Sequence, residues 1–134
     1  MQNPSLYRWH KTKNGRTFFA AIALKLERSN EDKHHIVEAY SGAGFVGQGY
    51  FETVPKEGYD QWKLAARRGL DYGLTKLEGY WTVTIESVEG LTTDTTPAVV
   101  AYVAMCGLWD KTGYEASSAE LTLFESYVFN NWNE

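Results

Sequence analysis

From Thr17 to Arg28 apolar and less apolar positions alternate, with Phe18, Ala20, Ile22, Leu24 and Leu26 set against Phe19, Ala21, Ala23, Lys25 and Glu27. A period of two predicts a strand with one face richer in apolar side chains. Ser29 to Lys33 is a polar turn and His34 to Tyr40 resumes as a strand, so the pattern predicts a hairpin. Ser41 to Gly49, SGAGFVGQG, holds four glycines in nine residues. That density predicts bulges, turns with positive φ, or close backbone approach. Tyr50 to Val54 reads as a short extension of the second strand, and Pro55 ends it and opens a helix. Along that helix Tyr59, Trp62, Ala66, Leu70 and Leu74 recur at spacings of three and four, a buried stripe, with Lys63, Arg67 and Arg68 off it.

Tyr80 to Val88 alternates again, with Trp81, Val83 and Ile85 against Thr82, Thr84 and Glu86. Thr96 suits an N-cap, because its hydroxyl can accept from a first-turn amide, and Pro97 needs no amide partner there. The helix that follows, AVVAYVAMCGLW, is apolar nearly all round. Such a helix is sandwiched in a core or buried against another subunit. Asp110 to Ser118 is a polar connection, and Leu121 to Asn130, rich in aromatic and apolar residues with period two, predicts a last strand. The predicted order is ββαβαβ, an α+β layer of two helices on a sheet. No repeat or linker interrupts it, so residues 1–134 read as one domain, a basic segment 1–16 followed by a core over about 17–132.

Val54 to Trp109 resembles domain IV of translation elongation factor G. The resemblance is carried by Pro55-Lys56-Glu57 ahead of a helix, Gly79-Tyr80 ahead of a strand, and Asp94-Thr95-Thr96 capping the next helix. Trp9 to Phe19, WHKTKNGRTFF, is similar to the family's basic, glycine-containing turn before its first strand. Leu121 to Tyr127, LTLFESY, is similar to the strand that leaves the domain, with Glu125 at the family's glutamate. The resemblance implies a ribosomal protein S5 domain 2-like fold: about four strands, two helices packed on one face, and a left-handed βαβ crossover. It further implies a non-catalytic role, with two tip segments that enter the ribosomal decoding site beside tRNA and mRNA. Those segments fall on Lys11, Lys13, Asn14, Gly15 and Arg16, and on Glu89 to Asp94. The second has Thr92 and Thr93 and lacks the family's histidine.

Charge sharpens this picture. Net charge is −4, yet residues 1–16 carry Arg8, Lys11, Lys13 and Arg16 and no acid, leaving 9 basic and 17 acidic residues in the rest. Tyr7, Arg8, Trp9, His10, Lys11, Lys13 and Arg16 form the constellation with a mechanism: cations track phosphate while aromatics stack on bases. Arg8, His10, Lys11, Lys13 and Arg16 are thus the candidate RNA- or ribosome-binding residues. The competing reading is a solvated basic terminus on an acidic body, with Tyr7 and Trp9 packing as a flank of the first strand.

Catalytic chemistry finds little purchase. The glycine stretch lacks the Lys-Ser/Thr of a phosphate-binding loop, so no cofactor is expected. Kinases of the galactokinase type share the implied fold and use a Gly/Ser-rich loop, which keeps a small-molecule enzyme as the third reading. His34 and His35 should face opposite sides of a strand, which makes them a poor pair for one metal and reads as two exposed strand-start histidines. Cys106, the one cysteine, excludes an intrachain disulfide and reads as a small buried hydrophobe. The N-terminus lacks the apolar run of a signal peptide, and no stretch approaches the length of a membrane span. The sequence therefore predicts a cytoplasmic, non-enzymatic binding module. Its partner is RNA, another protein, or a second copy docked through the apolar helix.

Overall fold

The computed structural model describes residues 6–130. These residues form an α+β structure of five strands and three helices in the order β1 (Leu6–Lys13), β2 (Arg16–Arg28), β3 (His35–Glu38), β4 (Glu52–Thr53), α1 (Asp60–Leu74), β5 (Trp81–Gly90), α2 (Pro97–Thr112) and α3 (Ser118–Asn130). The sheet is mixed. Its strands run β1-β2-β5-β3, with β4 also paired to β5; β3 lies parallel to β5 and the other pairs are antiparallel.

β1 and β2 are joined by Asn14 (φ 53) and Gly15 (φ 77), a two-residue turn with positive φ at both positions. Asn-Gly tolerates that backbone and matches the twist of the flanking strands, so the basic stretch from Trp9 to Phe19 is a hairpin and its first half a strand. In β2, Phe18, Ala20, Ile22 and Leu24 face the core with Val83, Ile85 and Val88 of β5. The apolar stripe of α1 (Ala66, Leu70, Leu74) and most of α2 cover them.

Four expectations are corrected. Pro55 does not open α1, which starts at Asp60 with Tyr59 as its N-cap. The hairpin between 17–28 and 34–40 does not form: β5 enters between β2 and β3, because β3 pairs with it in parallel and α1 supplies the crossover. Strand and helix counts among the described residues rise from four and two to five and three, since β1 and β4 are strands of their own and the last predicted strand is the helix α3. Residues 121–130 are helical, not a strand. Leu121, Phe124 and Val128, spaced three and four, turn toward the core, and the Ser117 hydroxyl accepts from the Glu120 N–H at 3.1 Å to cap the helix start.

α2 is enclosed by its own chain. Val99, Val100 and every residue from Tyr102 to Trp109 are buried between the sheet, α1 and α3, which accounts for an apolar surface all round without a second subunit. No helix among the described residues is long and apolar enough to cross a membrane.

Cys106 sits inside this layer, its thiol pushed up to about 11 by burial, with Glu125 adding to the rise and a hydrogen bond with Tyr102 opposing it. A pKa above the free-thiol value of 9.0 means the neutral thiol favours folding. Its contribution is complete below about pH 9 and disappears as pH rises through about 11. We expect stability, followed by urea unfolding, to fall across that window. At pH 8 a thiol-specific chromogenic disulfide should label the folded protein at about one hundredth of the unfolded rate or less. Equal rates would show that the helix layer opens readily.

Candidate functional site

The strand order gathers three loops at one end of the sheet. The β1–β2 turn lies at the start of β2, and the segment after β5 runs beside that start: the Phe19 N–H donates to the Asp94 carbonyl at 3.0 Å. Thr95 fixes this crossing by accepting from the Leu91 N–H at 2.9 Å and donating to the Phe19 carbonyl at 2.5 Å. The glycine-rich loop joins them through β4, whose Glu52 and Thr53 pair with Gly90 and Glu89, and through the Phe51 ring, 5.1 Å from that of Phe19.

The glycine loop is anchored at its stem and apolar at its tip. Gly42 and Gly44 N–H groups donate to the Val54 and Thr53 carbonyls at 3.0 and 2.8 Å. Beyond them the chain turns through Gly47, whose φ of 146 belongs to glycine. Phe45, Val46, Tyr50 and Phe51 are then 59, 61, 67 and 50% exposed. Single exposed apolar residues are ordinary; four within seven positions form a patch that water hydrates poorly. A shallow hollow of about 170 Å³ lies beside it, lined by Phe45, Tyr50, Glu52, Leu91, Thr92 and Thr93.

Glu52 holds this end together. It is buried, its carboxylate accepting from Tyr59 Oη at 2.6 Å and from Thr92 Oγ1. Tyr59 occupies the N-cap of α1 with φ 58, no side-chain cap and a left-handed backbone, a conformation that costs a bulky residue free energy. Burial, then the hydrogen bond and charge of Glu52, push the Tyr59 phenol up to about 12. The phenol therefore stays a donor across the neutral range. Nothing in the sequence pattern marks Glu52 as the centre of this network, because Tyr59 and Thr92 converge on it only in the fold.

The structure divides the five candidate basic residues between the two faces of the hairpin. Arg8 and His10 point to the face away from the helices, where Arg8 Nη1 lies 3.6 Å from Glu89. Lys11, Lys13 and Arg16 point to the helix face. There Lys11 donates to Glu125 at 2.8 Å, Lys13 sits 4.7 Å from the centre of the Phe129 ring, and Arg16 lies 5.2 Å from that of Phe18. Trp9 packs edge-on to Tyr102 at 5.2 Å. Glu125, expected at a strand exit, instead accepts from Lys11 and from Tyr102 (3.1 Å).

The remaining sequence candidates serve the fold. His34 Nδ1 accepts from the Trp81 N–H at 3.1 Å and His35 pairs with Glu31 at 2.6 Å, so the two histidines diverge. No group of three metal-ligating side chains occurs among the described residues. Cys106, Tyr102 and Glu125 come together, but a buried thiol with a raised pKa is a poor nucleophile.

No family model matches the sequence, and no curated protein matches it. In three dimensions the chain is similar to the crystal structure of ttk003000868 from Thermus thermophilus, with a TM-score of 0.56 and 10% sequence identity over 75% of this chain. The match takes in 14% of that protein, so this chain corresponds in fold to a small part of a much longer one.

Proposed function

We propose that the chain is a non-enzymatic binding module with the ribosomal protein S5 domain 2-like fold of elongation factor G domain IV, and that it grips a protein partner with the loop end of its sheet. The fold reading is supported by the parallel β3/β5 pair with α1 as its crossover, and by two helices, α1 and α2, over one face. It is also supported by the crossing of the segment after β5 beside the β1–β2 hairpin, the two places where the family resemblance puts its tip segments. The left-handed sense of the crossover belongs to the same proposal. The observation that carries the function is the exposed patch of Phe45, Val46, Tyr50 and Phe51 on an anchored loop. Aromatic anchors on a firm frame are what protein interfaces use for most of their affinity.

RNA contact is the second reading, favoured by Lys13, which faces an aromatic ring and no carboxylate within ion-pair distance among the described residues. Arg8 and Lys11 are already engaged by Glu89 and Glu125, which weakens the cationic strip. A photo-crosslinking residue at Tyr50, in extracts of the source cells, separates the readings. A protein partner gives a discrete adduct that survives ribonuclease, is lost in Phe45→Ser with Phe51→Ser, and persists in Lys13→Ala with Arg16→Ala. An adduct lost to ribonuclease or to the lysine and arginine changes, but kept by the serine variant, would overturn the proposal in favour of RNA.

A further inference from the structure

Among the described residues the sheet has one long unpaired edge. β1 runs eight residues in unbroken register with β2, while the opposite margin is made of β3 with four residues and β4 with two. The two-residue turn makes Lys13 and Arg16 a hydrogen-bonded pair, and in an antiparallel ladder such pairs alternate. The backbone N–H and C=O groups of Lys11 and Trp9 therefore point at β2, and those of Arg8, His10 and Thr12 point outward. The side-by-side hydroxyls of Thr12 and Thr17, 3.1 Å apart, fit that alternation. No strand among the described residues takes up the outward groups.

Natural edges are usually blunted by brevity, a bulge, a proline or charge. β1 is long, contains no proline, and has no bulge in its pairing with β2; charge is the one device it uses. That charge is cationic on both faces: Arg8 on one, Lys11 and Lys13 on the other. Two carboxylates from elsewhere in the fold, Glu89 and Glu125, offset it in part. A second copy added antiparallel along this edge would bring no carboxylate to Arg8, Lys11 or Lys13, since β1 contains none, and would lay two strips of like charge side by side, which repulsion disfavours. An acidic strand would meet a cation from either face. Its backbone would complete the ladder and its carboxylates would supply specificity.

We propose that the free edge of β1 is the docking site for an acidic, extended peptide segment of a partner, added to the sheet as an outer strand. This surface is distinct from the aromatic loop and does not depend on it. The helix face also gives the edge a polarity, with Tyr7 and Trp9 toward one end and Lys11 and Lys13 toward the turn. Acidic residues should therefore fall beside the turn and apolar ones beyond.

The test uses an end-blocked synthetic decapeptide of alternating Glu and Val, its Lys-Val counterpart, and oligouridylate. At saturation the Glu peptide should slow amide hydrogen exchange at Arg8, His10 and Thr12 at least tenfold. The effect should weaken as salt is raised, and the Lys peptide should leave those amides unchanged. Replacing His10 by Pro removes an outward N–H while sparing the inward ladder, and should weaken binding at least tenfold; Lys13→Glu should weaken it severalfold. The wild-type exchange pattern decides the matter even where the proline variant fails to fold. The proposal is overturned by equal binding of both peptides, by peptide binding without protection of the three amides, or by protection in a peptide-free dimer. Oligouridylate binding that competes with the peptide but leaves the amides unprotected would also overturn it, by assigning the edge to phosphate.

Discussion

Gly69→Ala is expected to destabilise the protein by about 3 kcal/mol, although helix propensity alone favours alanine by about 1. Gly69 is buried on α1 where that helix crosses α2. A Cβ there would fall inside contact distance of the Ala101 carbonyl oxygen and lie 2.9 Å from its carbon. The obstacle is backbone, so no rotamer change relieves it; α1 or α2 has to shift. Both helices are packed on the sheet, and moving either disturbs Leu70, Leu74, Val100 and Ala104. Gly73, one turn on, is the internal comparison. There the added carbon meets Leu108 Cδ2 at 3.0 Å, a side-chain terminus that can give way, so Gly73→Ala should cost less. For a chain of this size a loss of about 3 kcal/mol corresponds to a fall in Tm of roughly 10 °C. Thermal and urea unfolding check it, with exposed Arg68→Ala as a near-neutral control. Stability equal to or above wild type would show that the interhelix contact is looser than described.

The same crossing shows what sequence can and cannot convey. The stripe Ala66, Leu70, Leu74 announces α1 and its buried face, and β2, β5 and the start of α2 fall within two residues of where alternation and the Thr96-Pro97 cap put them. These elements bury one consistent face, so local pattern and tertiary demand agree. Glycines 69 and 73 read as neutral in such a pattern, and their role exists only once α2 lies across them.

α3 departs from its pattern for a different reason. Leu121, Leu123, Tyr127 and Phe129 alternate as a strand would, while the weaker helical set Leu121, Phe124, Val128 is the one the core uses. The legible clue is Ser117 three residues before Glu120, a capping box at the edge of a polar stretch. β1 is hidden by its cations. A strand at a sheet edge with α3 reaching over it can carry Arg8, His10, Lys11 and Lys13 without an alternating apolar face. At the loop end the glycine density foretells unusual backbone. The meeting of Glu52, Tyr59 and Thr92 does not show, since they are separated by up to 40 residues and joined only by strand order.

Removing the Glu52 carboxylate should unfasten that end. One side chain joins the exit of the glycine loop, the start of α1 and the segment after β5, through Tyr59 and Thr92. Burying a carboxylate is costly, and hydrogen bonds to the charged form offset the cost. Glu52→Ala deletes both bonds and leaves two hydroxyls to find water. Thr92, which is exposed, does so easily; Tyr59, half-buried and held at φ 58, does not. The net loss should be about 2 kcal/mol. Glu52→Gln, whose amide can accept from one hydroxyl and donate to the other, should lose about half as much. The exposed Glu57→Ala should change stability by less than about 0.5 kcal/mol. The damage should also be local first. With its anchor gone, the segment 45–51 should open below the global transition and be cut by chymotrypsin at Phe45, Tyr50 or Phe51 at least tenfold faster than in wild type. Faster cutting with weakened crosslinking at Tyr50 would tie the aromatic patch to a set geometry held by Glu52. Unchanged stability and unchanged cutting would mean that β4 and the loop stem hold this end without the carboxylate, and the role given to Glu52 would fall.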